Sequence, residues 1–297
     1  MKYVLITPAR NEAGFIEKTL NSVIAQTRLP ESWVIVDDGS TDATARIVET
    51  YLDNHPWIEL IRRPQRLDRS FAGKAHAFNA GWERVRSLEF DVIGNLDADV
   101  SFDPDYFEFL LGKFAEDSRL GVTGTPMREA NHDALKDSFY HFKDVFGACQ
   151  LFRRECFAEV GGYTPIEWGG IDWIAVRTAR LKGWETRSFP EKIFFHHRPM
   201  GQTEGNVWKA RFDYGRKDYF LGNHPLWQAF RVGYQMLKWP YVIGGLTLAA
   251  GYMYSCLARI ERPVTPELLR LHRREQLERL KSLFTHLART EQVKGQG

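Results

Sequence analysis

From Lys2 to about Ser188 the chain alternates short β-branched or apolar runs with longer segments of helical period. That alternation constrains the fold most, because strands separated by helices return in parallel and form an α/β sheet. The runs predict strands at Tyr3–Thr7, Trp33–Asp37, Ile58–Arg62, Val92–Asp97 and Val122–Thr125. Between the first two, Phe15, Ile16, Leu20, Val23 and Ile24 recur at a 3.6-residue period, so one face of a helix should lie on the sheet. Ser40 or Thr41 is the expected cap of a second helix carrying Ala45, Ile47, Val48, Tyr51 and Leu52, which should end at Asn54-His55-Pro56. A third helix, Lys74 to Arg86, leads into the strand that ends at Asp97. The expected class is α/β, Rossmann-like, with a mostly parallel mixed sheet.

A chain of 297 residues that is 43% apolar can bury one large domain and a smaller appendage. Its net charge of +2 supplies no chain-wide basic field, and no nucleic-acid partner is expected. Cys149, Cys156 and Cys256 are widely spaced and form no CxxC pair, which fits a reducing cytosol. Pro8 and Arg10 interrupt the first apolar run, so MKYVLITPAR reads as a strand and a cytoplasmic start is expected.

Composition shifts after Pro225, which divides the chain into an expected catalytic domain, 1–225, and a helical region, 226–297. Within the apolar segment 226–257, no charge occurs between Pro240 and Leu257, near the lower limit for a membrane span. Basic residues flank it on both sides, at Arg231 and Lys238 and at Arg259 and Arg262, which disfavours a single crossing. An interfacial or re-entrant helix pair broken near Pro240, with both ends at the cytoplasmic face, is expected. The Arg-rich helical tail from Pro266 can then touch anionic headgroups. A buried subdomain or the interface of a homo-oligomer is the alternative.

Ligands of open α/β sheets sit at the carboxyl ends of the strands, and unusual polar clusters fall there. Thr7-Pro8-Ala9-Arg10-Asn11-Glu12 follows the first strand and Asp37-Asp38-Gly39-Ser40-Thr41-Asp42 ends the second. Each alone is also compatible with an ordinary turn and helix cap. At the next strand end, Asp97 and Asp99 stand two apart in Asn95-Leu96-Asp97-Ala98-Asp99, so both carboxylates can face one cation. Such oxygen ligands suit Mg²⁺ or Mn²⁺. Neither GxGxxG nor GxxxxGK[ST] occurs, which argues against a dehydrogenase and a P-loop NTPase.

The ordered series PARNE, VDDGSTD, GKAHAFNAG and NLDADV resembles the family 2 glycosyltransferases, over roughly the first 200 residues. The resemblance implies a GT-A nucleotide-sugar-binding fold and an inverting, metal-dependent transfer. It implies that Pro8, Ala9, Asn11, Glu12, Asp37 and Asp38 line the nucleoside pocket, that Lys74 lies near the diphosphate, and that Asp97 and Asp99 hold the metal. The family's general base is the Asp of a Glu-Asp pair opening a helix after a Gly-rich loop, and Asp172 matches it. Ile171 replaces the pair's Glu, and Glu167 is a candidate to compensate. A carboxylate favoured by the helix macrodipole is the plainer reading of Asp172.

The resemblance also implies a His after the strand-like run Lys192–Phe195, close to the metal or diphosphate. His196 fits that place better than His197, and Arg198 can pair with phosphate. A polar strand terminus is the alternative. Aromatics from Trp208 to Trp227 read mainly as core, whereas Trp168 is the better candidate to meet an acceptor sugar. The expected partners are a nucleotide-sugar donor, UDP-linked, and a glycan or lipid-linked acceptor. The QxxRW motif of the family's processive synthases is absent, so one sugar per event is expected. The rival readings are a sugar nucleotidyltransferase and a catalytically silent binding subunit.

Overall fold

The structure is a computed structural model that describes residues 1–65, 71–130, 132–136, 141–167, 169–198 and 207–294. Trp168 lies outside the described residues. By contact the chain divides into two compact units, Met1–Pro199 and Met200–Gly297.

The first unit begins with β1 (Tyr3–Ala9), α1 (Ile16–Ile24), β2 (Ser32–Asp37), α2 (Thr44–Leu52), β3 (Ile58–Arg62), α3 (Phe71–Val85) and β4 (Val92–Leu96). The helices are crossovers between parallel strands: β1 pairs with β2 and β4, and β2 with β3. All five residues of β4 and six of seven in β1 are buried, as expected of strands covered on both faces. Ile16, Leu20 and Val23 of α1 are fully buried against them.

The chain continues through β5 (Val100–Phe102), α4 (Tyr106–Glu116), β6 (Leu120–Gly124), β7 (Met127–Glu129), β8 (His132–Asp133), β9 (Cys149–Arg153), α5 (Arg154–Val160), α6 (Ile171–Leu181), β10 (Glu185–Ser188) and β11 (Phe194–His196). A seven-stranded sheet runs β10-β6-β9-β4-β1-β2-β3, and a four-stranded sheet runs β5-β11-β7-β8. Strand β9 lies antiparallel between β4 and β6, so the sheet is mixed and mostly parallel.

Two local expectations are corrected. Neither Ser40 nor Thr41 caps α2, which starts at Thr44 without a side-chain cap at Ala43. Instead Asp42 Oδ1 accepts from Thr44 N at 2.9 Å, while Ser40 and Thr41 hydrogen-bond to Asn11 in the neighbouring loop. Strand β11 also runs later than Lys192–Phe195 and takes in His196, because its backbone pairs with Val100 of β5.

The second unit is helical: α7 (Val207–Phe220), α8 (Pro225–Met236), α9 (Tyr241–Leu257) and α10 (Pro266–Lys294). The sequence boundary after residue 225 leaves α7 with the first unit, yet α7 packs on α9 within the second. A Cβ at Gly215 would strike the carbonyl oxygen of Leu248, and one at Gly251 that of Phe212, so these glycines set the close approach of α7 and α9. The break between α8 and α9 falls at Pro240. No described helix is long and apolar enough to cross a membrane.

Candidate active site

The polar clusters of the first two strand ends are tied into one scaffold. Asn11, at φ 56°, occupies the left-handed region that Asn tolerates. Its amide donates to Ser40 Oγ at 2.9 Å, and its Oδ1 accepts from Thr41 N at 2.8 Å. Glu12 N donates to Thr44 Oγ1 at 2.7 Å and Ala13 N to Asp42 Oδ2 at 3.1 Å. Asp38 N donates to Ala9 O at 2.8 Å, continuing the parallel ladder by one residue past the strands. The Asp37 carboxylate accepts Ser40 N at 3.0 Å. Asp38 pairs with Arg63 at 2.6 Å. Arg63 follows β3 directly and so lies at the same edge of the sheet, in a loop whose residues carry no unique reading in the sequence.

The next strand end carries the charge. Lys74 Nζ lies 2.5 Å from Asp97 Oδ1, and Asp97 N donates to Ala148 O at 2.8 Å. Ligand atoms of Asp97, Asp99 and His196 all fall within 4.8 Å of one another. His197 instead turns its Nε2 to Ser101 Oγ at 2.8 Å, and burial lowers its pKa. Arg198 is ion-paired with Glu12, and its Nε stands 3.4 Å from Asp99 Oδ2. The residue expected to meet phosphate thus rests on carboxylates here.

Burial pushes the Glu12 carboxyl up to about 7, with the Asp99 charge adding and Arg198 opposing. Burial likewise raises Asp99, followed by the charge of Asp97, against His196, Arg198 and Lys74. For Lys74, burial works downward, yet Asp97, then Asp172 and Asp99, hold its ammonium above the usual lysine value.

Asp172 sits in the first turn of α6, behind Gly169 and Gly170, both at positive φ. Its side chain packs on Gly147, where a Cβ would stand 2.6 Å from Asp172 Cβ and 2.7 Å from Cγ. The carbonyl of that same Gly147 accepts Asn95 Nδ2 at 2.5 Å. The sharp chain segment before β9 therefore links α6 to the end of β4. The buried Tyr163 hydroxyl, bonded to Gln150 Oε1 at 2.6 Å, is raised by burial and then by the charges of Asp172 and Asp97. Ile171 is buried in the core, and Glu167 is exposed without a hydrogen bond or ion pair among the described residues. Compensation by Glu167 therefore finds no support in its contacts.

A divalent cation fits this donor set. Asp99 Oδ1 is buried without a hydrogen-bond partner, and two carboxylates with one imidazole are the hard and borderline ligands that Mg²⁺ and Mn²⁺ accept. Glu129, whose Oε1 is 3.2 Å from His196 Nδ1, was also missed. It lies in MREANHD, which carries no motif.

Comparison with known proteins supplies the family. Among curated relatives, the poly-beta-1,6-N-acetyl-D-glucosamine synthase of Staphylococcus aureus (strain MSSA476) is 26% identical over 220 residues, covering 68% of this chain and 50% of that protein. The chain thus spans half the length of that relative. Chondroitin synthase of Pasteurella multocida (strain Pm70) is 31% identical over 126 residues, 42% of this chain and 12% of that protein. Among solved structures, the mannosyltransferase PcManGT of Pyrobaculum calidifontis, in complex with GDP-Man and Mn²⁺, superposes with a TM-score of 0.55 at 19% identity, covering 97% of this chain and 80% of that one. S. aureus TarS in complex with UDP-GlcNAc gives 0.52 at 14% identity, over 91% and 79% of the two chains. These GT-A neighbours agree with the expected fold. The profile of Glycosyl transferase family 2 matches residues 4–169, more than half of the sequence, and the chain belongs to that family.

Proposed function

We propose that the protein is an inverting, metal-dependent glycosyltransferase that moves one sugar at a time from a UDP-linked donor to a hydroxyl of a glycan or lipid-linked acceptor. The observation that carries this reading is the grouping of Asp97, Asp99 and His196 ligand atoms within 4.8 Å of one another, with Lys74 on Asp97 and within electrostatic reach of Asp172. Asp97, Asp99 and His196 would hold Mg²⁺ or Mn²⁺. When bound, that cation offsets charge on the departing diphosphate.

The residues of the chain supply the rest. Asp172 takes the acceptor's proton as its oxygen attacks the anomeric carbon from the face opposite the diphosphate. It accepts no hydrogen bond from the described residues, which leaves its lone pairs for the acceptor. Pro8, Ala9, Asn11, Glu12, Asp37 and Asp38 line the nucleoside pocket. Lys74 and Arg198 exchange carboxylate partners for diphosphate oxygens when the donor binds.

The choice of UDP is supported by the UDP-GlcNAc complex of TarS, and GDP-Man in the mannosyltransferase makes guanosine donors the natural control. Incubation with a panel of UDP- and GDP-sugars, with Mn²⁺ or with EDTA, tests the reading. Metal-dependent UDP release supports it. Pyrophosphate release would point to nucleotidyl transfer, and no product from any donor would point to a binding subunit.

We further propose that the second unit binds an anionic membrane surface peripherally, at the cytoplasmic face. Helix α9 buries a mainly small-residue face, Gly244, Gly245, Gly251 and Ser255 with Leu248 and Tyr252, while Val242, Ile243, Leu246, Met253 and Leu257 are more than half exposed. Trp239 and Tyr241 are exposed at the α8–α9 turn, with Lys238 and Arg259 exposed at the two ends of the helix. Apolar side chains rimmed by aromatics and cations match the acyl, interfacial and headgroup layers of a bilayer.

A further inference from the structure

We infer that Glu129 is a positioning residue for the metal site: its carboxylate accepts the Nδ1 proton of His196 and leaves the Nε2 lone pair free to face the cation. This rests on the metal reading above.

The two residues meet because of sheet register. Strands β7 and β11 run parallel, with Phe194 opposite Met127 and Phe195 opposite Arg128. One step further brings His196 level with Glu129, and paired positions in a sheet point to the same face. Each backbone is also held from its other side. Glu129 pairs with His132 of β8, His196 pairs with Val100 of β5, and His197 N donates to Asp99 O at 2.8 Å. The side chains are deeply buried, His196 at 10% and Glu129 at 7% exposure. His196 Nδ1 is 3.2 Å from Glu129 Oε1, while Nε2, on the far side of the ring, is 3.5 Å from Asp99 Oδ1.

An imidazole carries its metal on one nitrogen and its proton on the other, so whatever accepts the proton decides which nitrogen is available. Glu129 accepts at Nδ1. Without it, the neutral ring is free to place its proton on Nε2, where Asp99 is the nearest acceptor and where the cation must bind. The arrangement is the carboxylate–histidine–metal relay by which outer partners orient ligands and raise their basicity.

The test is a Mn²⁺ titration of the full chain, read by electron paramagnetic resonance of the free ion, with no nucleotide sugar present. Glu129→Ala should weaken Mn²⁺ binding by about 10- to 100-fold, and Glu129→Gln, which keeps an uncharged acceptor, should fall between it and wild type. On a His196→Ala background, Glu129→Ala should cost nothing more. In metal-free protein carrying ¹⁵N-histidine, the His196 ring should report the Nδ1–H tautomer in wild type and lose it in Glu129→Ala. If Glu129→Ala destabilises the fold, Glu129→Leu, which fills the space and removes the acceptor, is read by the same two measurements.

Unchanged Mn²⁺ binding with an unchanged tautomer in the variant that lacks the acceptor would overturn the inference. So would an equal loss on the His196→Ala background, which would make Glu129 a ligand itself. Failure of the wild type to bind Mn²⁺ would sink the metal reading instead, and the tautomer would still decide the role of Glu129.

Discussion

Lys74 Nζ lies 2.5 Å from Asp97 Oδ1, and the same ammonium is held charged by Asp172 and Asp99. Two of these carboxylates, Asp97 and Asp99, come from the turn after β4, and the third, Asp172, from α6. Lys74 is the ion-pair partner of Asp97, and its release towards the donor is the expected consequence of a divalent ion binding there.

Removing that charge should therefore hurt the metal-free protein more than the metal-loaded one. Lys74 and Asp97 are about a quarter to a third exposed, so the pair should be worth less than the ~3–5 kcal/mol of a fully buried one. For Lys74→Gln a drop in melting temperature of about 2–6 °C is expected without metal, shrinking when Mn²⁺ is added. Differential scanning fluorimetry with and without Mn²⁺ checks this; an equal drop in both conditions would contradict it.

Gly147 is the contact on which Asp172 rests. A methyl group there would need space already filled by Asp172 Cβ and Cγ, so Gly147→Ala should push the carboxylate aside without touching the metal ligands. Displacement of a reacting group by ~1 Å can cost about 100-fold in rate, so kcat should fall by roughly that factor while Mn²⁺ affinity stays within a few-fold. Steady-state kinetics beside a Mn²⁺ titration measures both quantities.

Glu12 gives the metal-free protein a defined pH dependence. Its folded pKa, about 7, lies above its ordinary value of 4.5, so the folded state binds the extra proton between those values. Stability from this group is present below about 4.5 and is lost as pH rises through about 7. Glu12→Gln removes the titration, so in the metal-free state its melting temperature should gain on wild type as pH climbs from about 5 to about 8. Saturating Mn²⁺ should move the window downward, since a nearby cation favours the carboxylate. Parallel melting curves in pH would show that Glu12 does not titrate there.

Much of the sheet was legible because its strands are short apolar runs separated by helices with a clear period. Strand β9 was not: Cys149–Arg153 is five residues without alternation, and its buried Gln150 is satisfied only by Tyr163 and the Val145 carbonyl, both supplied by tertiary packing. At the site, Asp97, Asp99 and His196 were visible because motif order places them at strand ends. Glu129 and Arg63 were not, because a single charged residue acquires meaning only through a neighbour distant in sequence. The cap of α2 was misassigned to Ser40 and Thr41 because their cross-loop partner, Asn11, is local to a different strand.

The outward face of α9 makes a separate prediction. Ile243→Glu with Leu246→Glu should abolish sedimentation with vesicles containing anionic phospholipid, and raised salt should weaken binding of the wild type. Neither substitution should alter Mn²⁺ affinity. A wild type that ignores such vesicles yet forms a dimer that these substitutions dissolve would assign the face to a second copy of the chain.

Asp172 is proposed to work on the acceptor while Asp97 and Asp99 work on the donor through the metal. Turnover of a competent donor by Asp172→Asn, set beside its affinity for Mn²⁺ and UDP, tests it most directly. A loss in kcat of about 1,000-fold or more is expected, with binding within a few-fold of wild type. An Asp172→Asn enzyme that turns over at close to the wild-type rate would contradict it.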